Sequence, residues 1–146
     1  MGESPEDQVR EVLGSENLCT LSTVTSEGTP EAATIQFESD EDFNLYFETF
    51  PGYRKHSKLK ENPECAVVVD GREGKRNVQL EGKVVELSGE EAEKAKNRLV
   101  DEHGEGTGYL QDEETKSFKF EPEWIRIFRD PEYAMVRGDG DTELHE

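Results

Sequence analysis

The alternation of apolar and polar residues along the chain predicts a small β-sheet protein. Six segments have the pattern of β-strands, because apolar residues either alternate with polar ones or form short runs bounded by turn residues. These segments are Leu18–Val24, Pro30–Glu38, Phe43–Thr49, Cys65–Asp70, Arg76–Leu87 and Phe118–Phe128. The run Cys65–Asp70 is almost continuously apolar, so we expect this strand to be buried on both faces.

Three helices are predicted beside these strands. The first begins at Ser4-Pro5, a capping residue followed by proline at the first helical position, and is expected to end at Gly14. A short second helix is predicted over Tyr53–Lys60, and a third over Ser88–Glu102. Because short turns join most of the strands, antiparallel pairing is expected.

A six-stranded antiparallel sheet of this size must curl into a barrel to protect its edges. The expected fold is therefore mainly β (α+β), a barrel with flanking helices. The 146 residues suffice for one domain, which we assign to residues 1–130, and residues 131–146 are expected to form a loose acidic tail.

The composition then restricts the class of protein. Asp and Glu outnumber Lys and Arg 35 to 17, giving a formal charge of −18, the balance expected of a protein that works in concentrated salt. So negative a surface repels nucleic acid, and no apolar run reaches the roughly 20 residues of a membrane span. The polar N-terminus lacks the apolar core of a signal peptide, so a cytoplasmic location is expected.

The cysteines and histidines give no sign of a metal or disulfide centre. Cys19 and Cys65 lie in two separate strand-like runs and are expected to be small buried hydrophobic residues. His56, His103 and His145 lie in three unlike contexts, so we expect no metal site. No nucleophilic triad or general base is assignable from the sequence.

The distribution of positive charge is the most informative feature. Residues 1–53 hold one base against 12 acids, whereas residues 54–76 hold seven bases against four acids. Clustering like charges is unfavourable, and a bound anion is the simplest reason for it. Arg54, Lys55 and Lys58 are expected to hold one phosphate, with Phe50 and Tyr53 covering an aromatic ring. The alternative is that these bases only form ion pairs with neighbouring acids.

Four stretches resemble, in order, the flavin-binding split-barrel proteins of the pyridoxamine 5′-phosphate oxidase superfamily, especially its short general stress protein branch. The stretches are LCTLSTVTSEGTPEAATIQF (Leu18–Phe37), LYFETFPGYRKHSKLKENPECAVVV (Leu45–Val69), RNVQLEGKVVELS (Arg76–Ser88) and FEPEWIRIF (Phe120–Phe128). The second is the most diagnostic, and the residues that fit its pattern are Thr49, Arg54, Lys55, Leu59, Asn62 and Pro63.

The resemblance implies a six-stranded antiparallel split β-barrel that forms a homodimer, with FMN lying between the two barrels. It places Thr49, Arg54 and Lys55 at the FMN phosphate, with Lys58 assisting. The backbone of Thr34, Ile35, Gln36 and Phe37 is expected beside the isoalloxazine ring. Asn77, or alternatively Gln79, is expected to contact the flavin, and Trp124 to reach the flavin site from the partner subunit.

The implied activity is that of an FMN-dependent oxidoreductase acting on a small molecule. Relatives that oxidise pyridoxamine phosphate carry Arg and Lys on the second strand, where this chain has Ala33 and Glu38, so a different substrate is expected. A flavin carrier or sensor without turnover, and a reductase that uses a 5-deazaflavin bound with the help of Arg72, Lys75 and Arg76, are the alternatives. Some relatives bind haem, which three scattered histidines favour least.

Overall fold

One antiparallel sheet contains most of the described chain. The computed structural model describes residues 4–49, 59, 61–71, 75–103, 116–129 and 131–139. Its strands are β1 (Leu18–Val24), β2 (Pro30–Gln36), β3 (Glu38–Ser39), β4 (Leu45–Thr49), β5 (Glu64–Gly71), β6 (Arg76–Glu86), β7 (Lys116–Arg129) and β8 (Glu132–Arg137). They pair in the order β2-β1-β5-β6-β7-β4-β3, and β8 pairs with β7 beside β4.

The two ends of this sheet belong to one stretch of chain. β2 and β3 are separated only by Phe37, yet β2 pairs with β1 whereas β3 pairs with β4. If β2 and β3 are counted together, six strands follow one another around a ring, which confirms the predicted six-stranded antiparallel barrel. The strand β8 is an addition to that ring.

Two helices flank the sheet. In α1 (Pro5–Ser15) the Ser4 hydroxyl accepts a hydrogen bond from the Asp7 backbone N–H at 3.1 Å, as expected of a capping residue. The prediction that Gly14 ends α1 is wrong: the N–H of Glu16 still bonds to the Val12 carbonyl at 3.2 Å. The second helix, α2, spans Gly89–His103, close to the prediction. The helix predicted over Tyr53–Lys60 lies outside the described residues, apart from the buried Leu59.

The interior of the barrel is filled by alternate side chains of the strands. Phe47 and Phe118 stack there with ring centroids 5.6 Å apart, and α1 contributes Val9, Val12 and Leu13. Both faces of β5 were expected to be buried, which is wrong. Val67 and Val69 are buried, but Ala66 and Val68 are partly exposed, because no described element covers the outer side of β5.

Gly82 allows β6 and β7 to approach closely at a register shift. The pairing shifts between Glu81 and Gly82, where Gly82 lies opposite Pro122. A Cβ atom at position 82 would stand 2.2 Å from the Glu121 carbonyl oxygen and 2.8 Å from the Pro122 Cα. Only glycine therefore fits this bulge without moving a strand.

A strand replaces the loose tail that was expected from residue 131. Residues Glu132–Arg137 form β8 and pair with β7, with Met135 opposite Arg126. Arg137 fastens this strand, because its guanidinium donates to the Pro122 carbonyl at 2.7 Å and to the Asp42 carbonyl at 3.2 Å. The expectation of a tail is thus wrong for residues 131–139, whereas the domain boundary at residue 130 stays a prediction.

Candidate functional site

A row of side chains crosses the outer face of the sheet, the face turned away from the barrel interior. The strand register aligns Thr34 with Thr20, Thr20 with Val68, and Val68 with Gln79. Gln79 in turn lies opposite Arg126. The spacing of strands makes the row from Thr34 to Gln79 about 14 Å long. The row thus begins at β2 and ends at the Gln79–Arg126 pair, and Arg126 is its one charged residue.

Six outward-facing residues in and beside this row on three strands are uncharged, although the charged residues Glu64 and Asp70 flank them on β5. We call this surface the outer patch and define it by six outward-facing residues: Thr20, Ser22, Ala32, Thr34, Ala66 and Val68. Charged residues make up 36% of the chain, so a group of six adjacent outward positions without one is unusual. An uncharged patch within an acidic surface is typical of a surface that binds a ring compound or another protein.

The Gln79 side chain is held firmly by Arg126. Its amide oxygen accepts a hydrogen bond from Nε of Arg126 at 3.0 Å and a second, shorter one from Nη2. The guanidinium carbon lies 5.5 Å from the centre of the Trp124 ring and 5.0 Å from that of Tyr133. Two hydrogen bonds and two aromatic rings therefore fix the position of Arg126.

Trp124 is itself anchored by the chain that follows β8. Its indole N–H donates to the Asp139 carbonyl at 3.1 Å. Gly138 has a φ of 85°, and a Cβ there would lie 2.9 Å from the Trp124 ring, so glycine allows this close approach. Beside Trp124, toward the outer patch, lies an open cleft of about 380 Å³ lined also by Ser22, Gly82 and three glutamates, Glu64, Glu81 and Glu123.

The structure brings some of the predicted flavin contacts together and separates others. Thr34, Gln79 and Trp124 lie on the outer face, and Asn77 is partly exposed two residues before Gln79 on the same face of β6. Ile35 and Phe37 differ, because their side chains are buried in the core at 7% and 1% exposure.

The expectation for residues 34–37 concerned the backbone, and β2 lies at one end of the order of paired strands. β2 pairs with β1, and no strand in the described part of the chain pairs with its other edge. Thr34 and Gln36 point outward, with Gln36 partly buried. A planar ligand that lies along the outer patch would meet this edge.

The predicted phosphate residues mostly lie outside the described residues. This holds for Arg54, Lys55 and Lys58, and Thr49 is described only by its backbone, which pairs with Lys116 at the end of β4. Their role stays a prediction. Arg76, one of three bases that were expected to help bind a deazaflavin, forms an ion pair through Nη2 with Glu11 of α1. That pair joins α1 to β6, and the deazaflavin alternative stays a prediction.

A buried glutamate was missed by the sequence analysis. Glu48, only 6% exposed, lies opposite Ser117, whose hydroxyl donates to its Oε1 at 2.8 Å. Its other oxygen has no hydrogen-bond partner within the described residues. Burial raises the pKa of Glu48 to about 7, although Ser117 and Lys96 lower it. The only signal in the sequence was an acid at an alternating position of β4.

Two further titratable groups, Cys65 and Asp40, have pKa values shifted by their surroundings. Burial raises the pKa of the Cys65 thiol to about 12, so this cysteine is a protonated, unreactive residue packed against the core, and Cys19 is buried. Burial alone would raise the pKa of Asp40, but hydrogen bonds from Asn44, Tyr46 and the backbone lower it.

Over the residues that the structure describes, no group of three or more His, Cys, Asp or Glu is placed to hold a metal ion. Neither α1 nor α2, as far as they are described, combines the length and apolar character of a bilayer-spanning helix.

The barrel is that of the split-barrel class, and comparison with known proteins identifies the family. The model of the family described as pyridoxamine 5′-phosphate oxidase matches residues 5–129, so the chain belongs to that family. This confirms the resemblance found in the sequence. The matched region ends at the last residue of β7, and β8 lies beyond it.

Individual relatives are more distant. A pyridoxine/pyridoxamine 5′-phosphate oxidase of Salinibacter ruber is 34% identical over 80 residues, which are 55% of this chain and only 37% of that relative. Among solved structures, a heme binding protein from Mycobacterium smegmatis has a TM-score of 0.82 at 16% identity, covering 94% of this chain and 59% of the other. General Stress Protein 26 from Bacillus anthracis has a TM-score of 0.73 at 20% identity, covering 90% and 98%. These structures share the fold.

Proposed function

We propose that the protein binds FMN on the outer patch and uses it as an oxidoreductase that acts on a small molecule. The observation that supports this most directly is the uncharged row from Thr34 to Gln79, beside the edge of β2 with which no described strand pairs. The row, about 14 Å long, is long enough for a three-ring compound, and it ends at an amide that can donate hydrogen bonds. Membership in the pyridoxamine 5′-phosphate oxidase family makes a flavin the expected occupant.

The chemistry of the available donors fits this group. The pyrimidine end of a flavin carries two carbonyl oxygens, which accept hydrogen bonds from amide N–H groups such as those of Gln79 or Asn77. Thr20 and Thr34 add hydroxyl groups, and Ala66 and Val68 add apolar surface for the ring face. The phosphate would be held by Arg54 and Lys55, with Lys58 assisting, as the charge distribution of the sequence predicts, and by Thr49, as the family resemblance implies.

FMN, when bound, supplies reversible uptake of electrons, which the side chains of the protein cannot provide. The protein's own residues bind and orient the ring and exclude water from one of its faces. The positive charge of Arg126, transmitted through Gln79, would favour the more negative, reduced form of the ring. The cleft beside Trp124 would leave room for a small second molecule near the row.

A homodimer is part of this proposal. The outer patch groups uncharged residues on the surface of a chain with a formal charge of −18, and such a patch is typical of an interface rather than of a solvent-exposed face. A second copy packed on the same patch would cover the bound ring and provide its other wall, and Trp124 of the partner subunit would then lie near it. Measuring the molar mass in solution with and without FMN tests this part; a monomer that binds FMN tightly would contradict it.

One observation favours a second candidate, a flavin carrier or sensor without turnover. The described part of the row contains no carboxylate, histidine or thiol that could move a proton to or from a substrate. Mixing the FMN-loaded protein anaerobically with reduced nicotinamide cofactors separates the two. Rapid loss of the flavin absorbance supports the oxidoreductase, whereas an unchanged spectrum supports the carrier.

Titration of the purified protein with FMN, followed by flavin absorbance and fluorescence, tests binding itself. The double variant Arg54→Glu/Lys55→Glu should lose binding, because each charge-assisted hydrogen bond to a phosphate contributes about 1.5–3 kcal/mol. The control, Lys83→Glu/Lys94→Glu, makes the same change of net charge at two exposed positions and should bind like the wild type. An unchanged spectrum of the wild-type protein refutes the flavin proposal, and retained binding by the first variant refutes the phosphate assignment. Titration with a 5-deazaflavin in competition with FMN tests that alternative.

A further inference from the structure

The contact between Arg126 and Gln79 leaves the glutamine amide in one orientation. Arginine donates hydrogen bonds and accepts none, so both bonds from the guanidinium must end on the amide oxygen of Gln79. The amide nitrogen, with two N–H donors, must then point away from Arg126. It forms no hydrogen bond with any other residue of the described chain.

We propose that Arg126 is a positioning residue for the flavin ring: it holds the Gln79 amide so that two N–H donors face the row, and places a positive charge directly behind that amide. The inference rests on the proposed function and deepens it. Gln79 makes the contact with the ring, and Arg126 acts through Gln79. In this arrangement the Gln79 end of the row offers donors only, and it therefore selects a ring that presents acceptors at that end.

Contacts with neighbouring side chains hold the Arg126 guanidinium in place and thereby stabilise the orientation of the Gln79 amide. Its guanidinium lies against the rings of Trp124 and Tyr133, and the Trp124 indole is held in turn by the Asp139 carbonyl. Tyr133 lies in β8 and Asp139 follows that strand, so two of these three contacts depend on β8 or on the residues after it. The additional strand therefore supports the last element of the row, although it lies outside the six-stranded ring.

Removing Arg126 frees the amide to rotate by 180°, so that donor and acceptor exchange places. The ring gains electron density when it is reduced, and a donor backed by a positive charge then binds it more strongly. Arg126→Met should weaken binding of reduced FMN relative to oxidised FMN by about tenfold. For a two-electron couple this equals a midpoint potential lower by about 30 mV.

The experiment measures the FMN midpoint potential and the dissociation constant for wild type, Arg126→Met and Arg126→Lys. Lysine keeps the charge but loses the fork that fixes the amide, so its potential should fall between the other two. The control is Arg129→Met, which removes the same charge from an exposed position of the same strand. Near- and far-ultraviolet circular dichroism checks that each variant is folded.

A second arm distinguishes positioning from simple electrostatic attraction. If Arg126 acts through Gln79, the change Arg126→Met should add little in a Gln79→Leu background, so that the two effects are strongly non-additive. Additive effects, a potential for Arg126→Lys equal to that of the wild type, or equal shifts for Arg126→Met and Arg129→Met would each overturn the inference. These outcomes leave FMN binding intact. A wild-type protein that fails to bind FMN refutes the proposed function first, and this inference with it.

Discussion

The buried carboxyl of Glu48 should make the stability of this protein fall as the pH rises toward neutrality. Burial raises the pKa of Glu48 from 4.5 to about 7 in the folded protein. In the unfolded chain the carboxyl is in water and ionises near its ordinary value. The difference of about 2.5 units corresponds to about 3 kcal/mol of unfolding free energy, an upper figure for this one group.

The direction of the change in stability with pH follows from the protonation form of Glu48 that the folded and the unfolded states favour. The folded state favours the protonated carboxyl, so the full stability is present below about pH 4.5. Between pH 4.5 and 7 the unfolded chain releases its proton first, and stability is lost progressively. Above pH 7 both states are ionised, and the loss from this group is complete. Glu48→Gln removes the titration while keeping a side chain that can bond to Ser117.

We expect Glu48→Gln to match the wild type at pH 4.5 and to exceed it by about 2–3 kcal/mol at pH 8. Urea unfolding at fixed salt concentration, followed by circular dichroism at half-unit pH steps, measures the difference between the two curves. Glu64→Gln, at an exposed position, is the matched control and should give a difference that does not change over this range. A difference between wild type and Glu48→Gln that is constant with pH would refute the reasoning.

Three further predictions concern the fold. Gly82→Ala should cost about 1–3 kcal/mol, because its Cβ would collide with the backbone of β7; equal stability in urea unfolding would contradict the bulge. Gly14→Ala, inside α1 and with no atom within 4 Å of its new Cβ, should instead add about 0.5–1 kcal/mol by the same measurement. The melting temperature should rise between 0.05 and 1 M KCl, because salt screens the repulsion within a chain of charge −18, and a melting temperature independent of salt would exclude adaptation to concentrated salt.

The sequence carried enough information to predict the barrel, because its strands follow from local patterns. Alternation in Leu18–Val24 and the cap at Ser4 act within a few residues, and both elements lie where they were predicted. β8 was missed because its pairing depends on a distant strand and on Arg137, while its own sequence, EYAMVR, follows a proline and lacks the alternation of apolar and polar residues typical of a strand. β5 was expected to be covered on both faces because an apolar run does not reveal which of its faces is covered.

The candidate site was predictable only in part, because contacts between residues far apart in the chain leave no local pattern in the sequence. Asn77, Gln79 and Trp124 were selected by position along the chain, and they do share the outer face. The partnership of Gln79 with Arg126 joins residues that are 47 positions apart, and no local pattern indicates it. The burial of Glu48 likewise results from the packing of α2 and β7 against β4, which a strand pattern does not specify.

The single residue between β2 and β3 has a consequence for the integrity of the ring. The other neighbouring strands of the described ring are held together by rows of backbone hydrogen bonds, which break and re-form one at a time. At Phe37 the joint is covalent, and only Glu38 and Ser39 tie the far side to β4. A proteolytic cut at this point would turn a closed ring into an open sheet with two unpaired edges, at which other chains can pair. The position of Phe37, 1% exposed, keeps that vulnerable joint out of the reach of proteases.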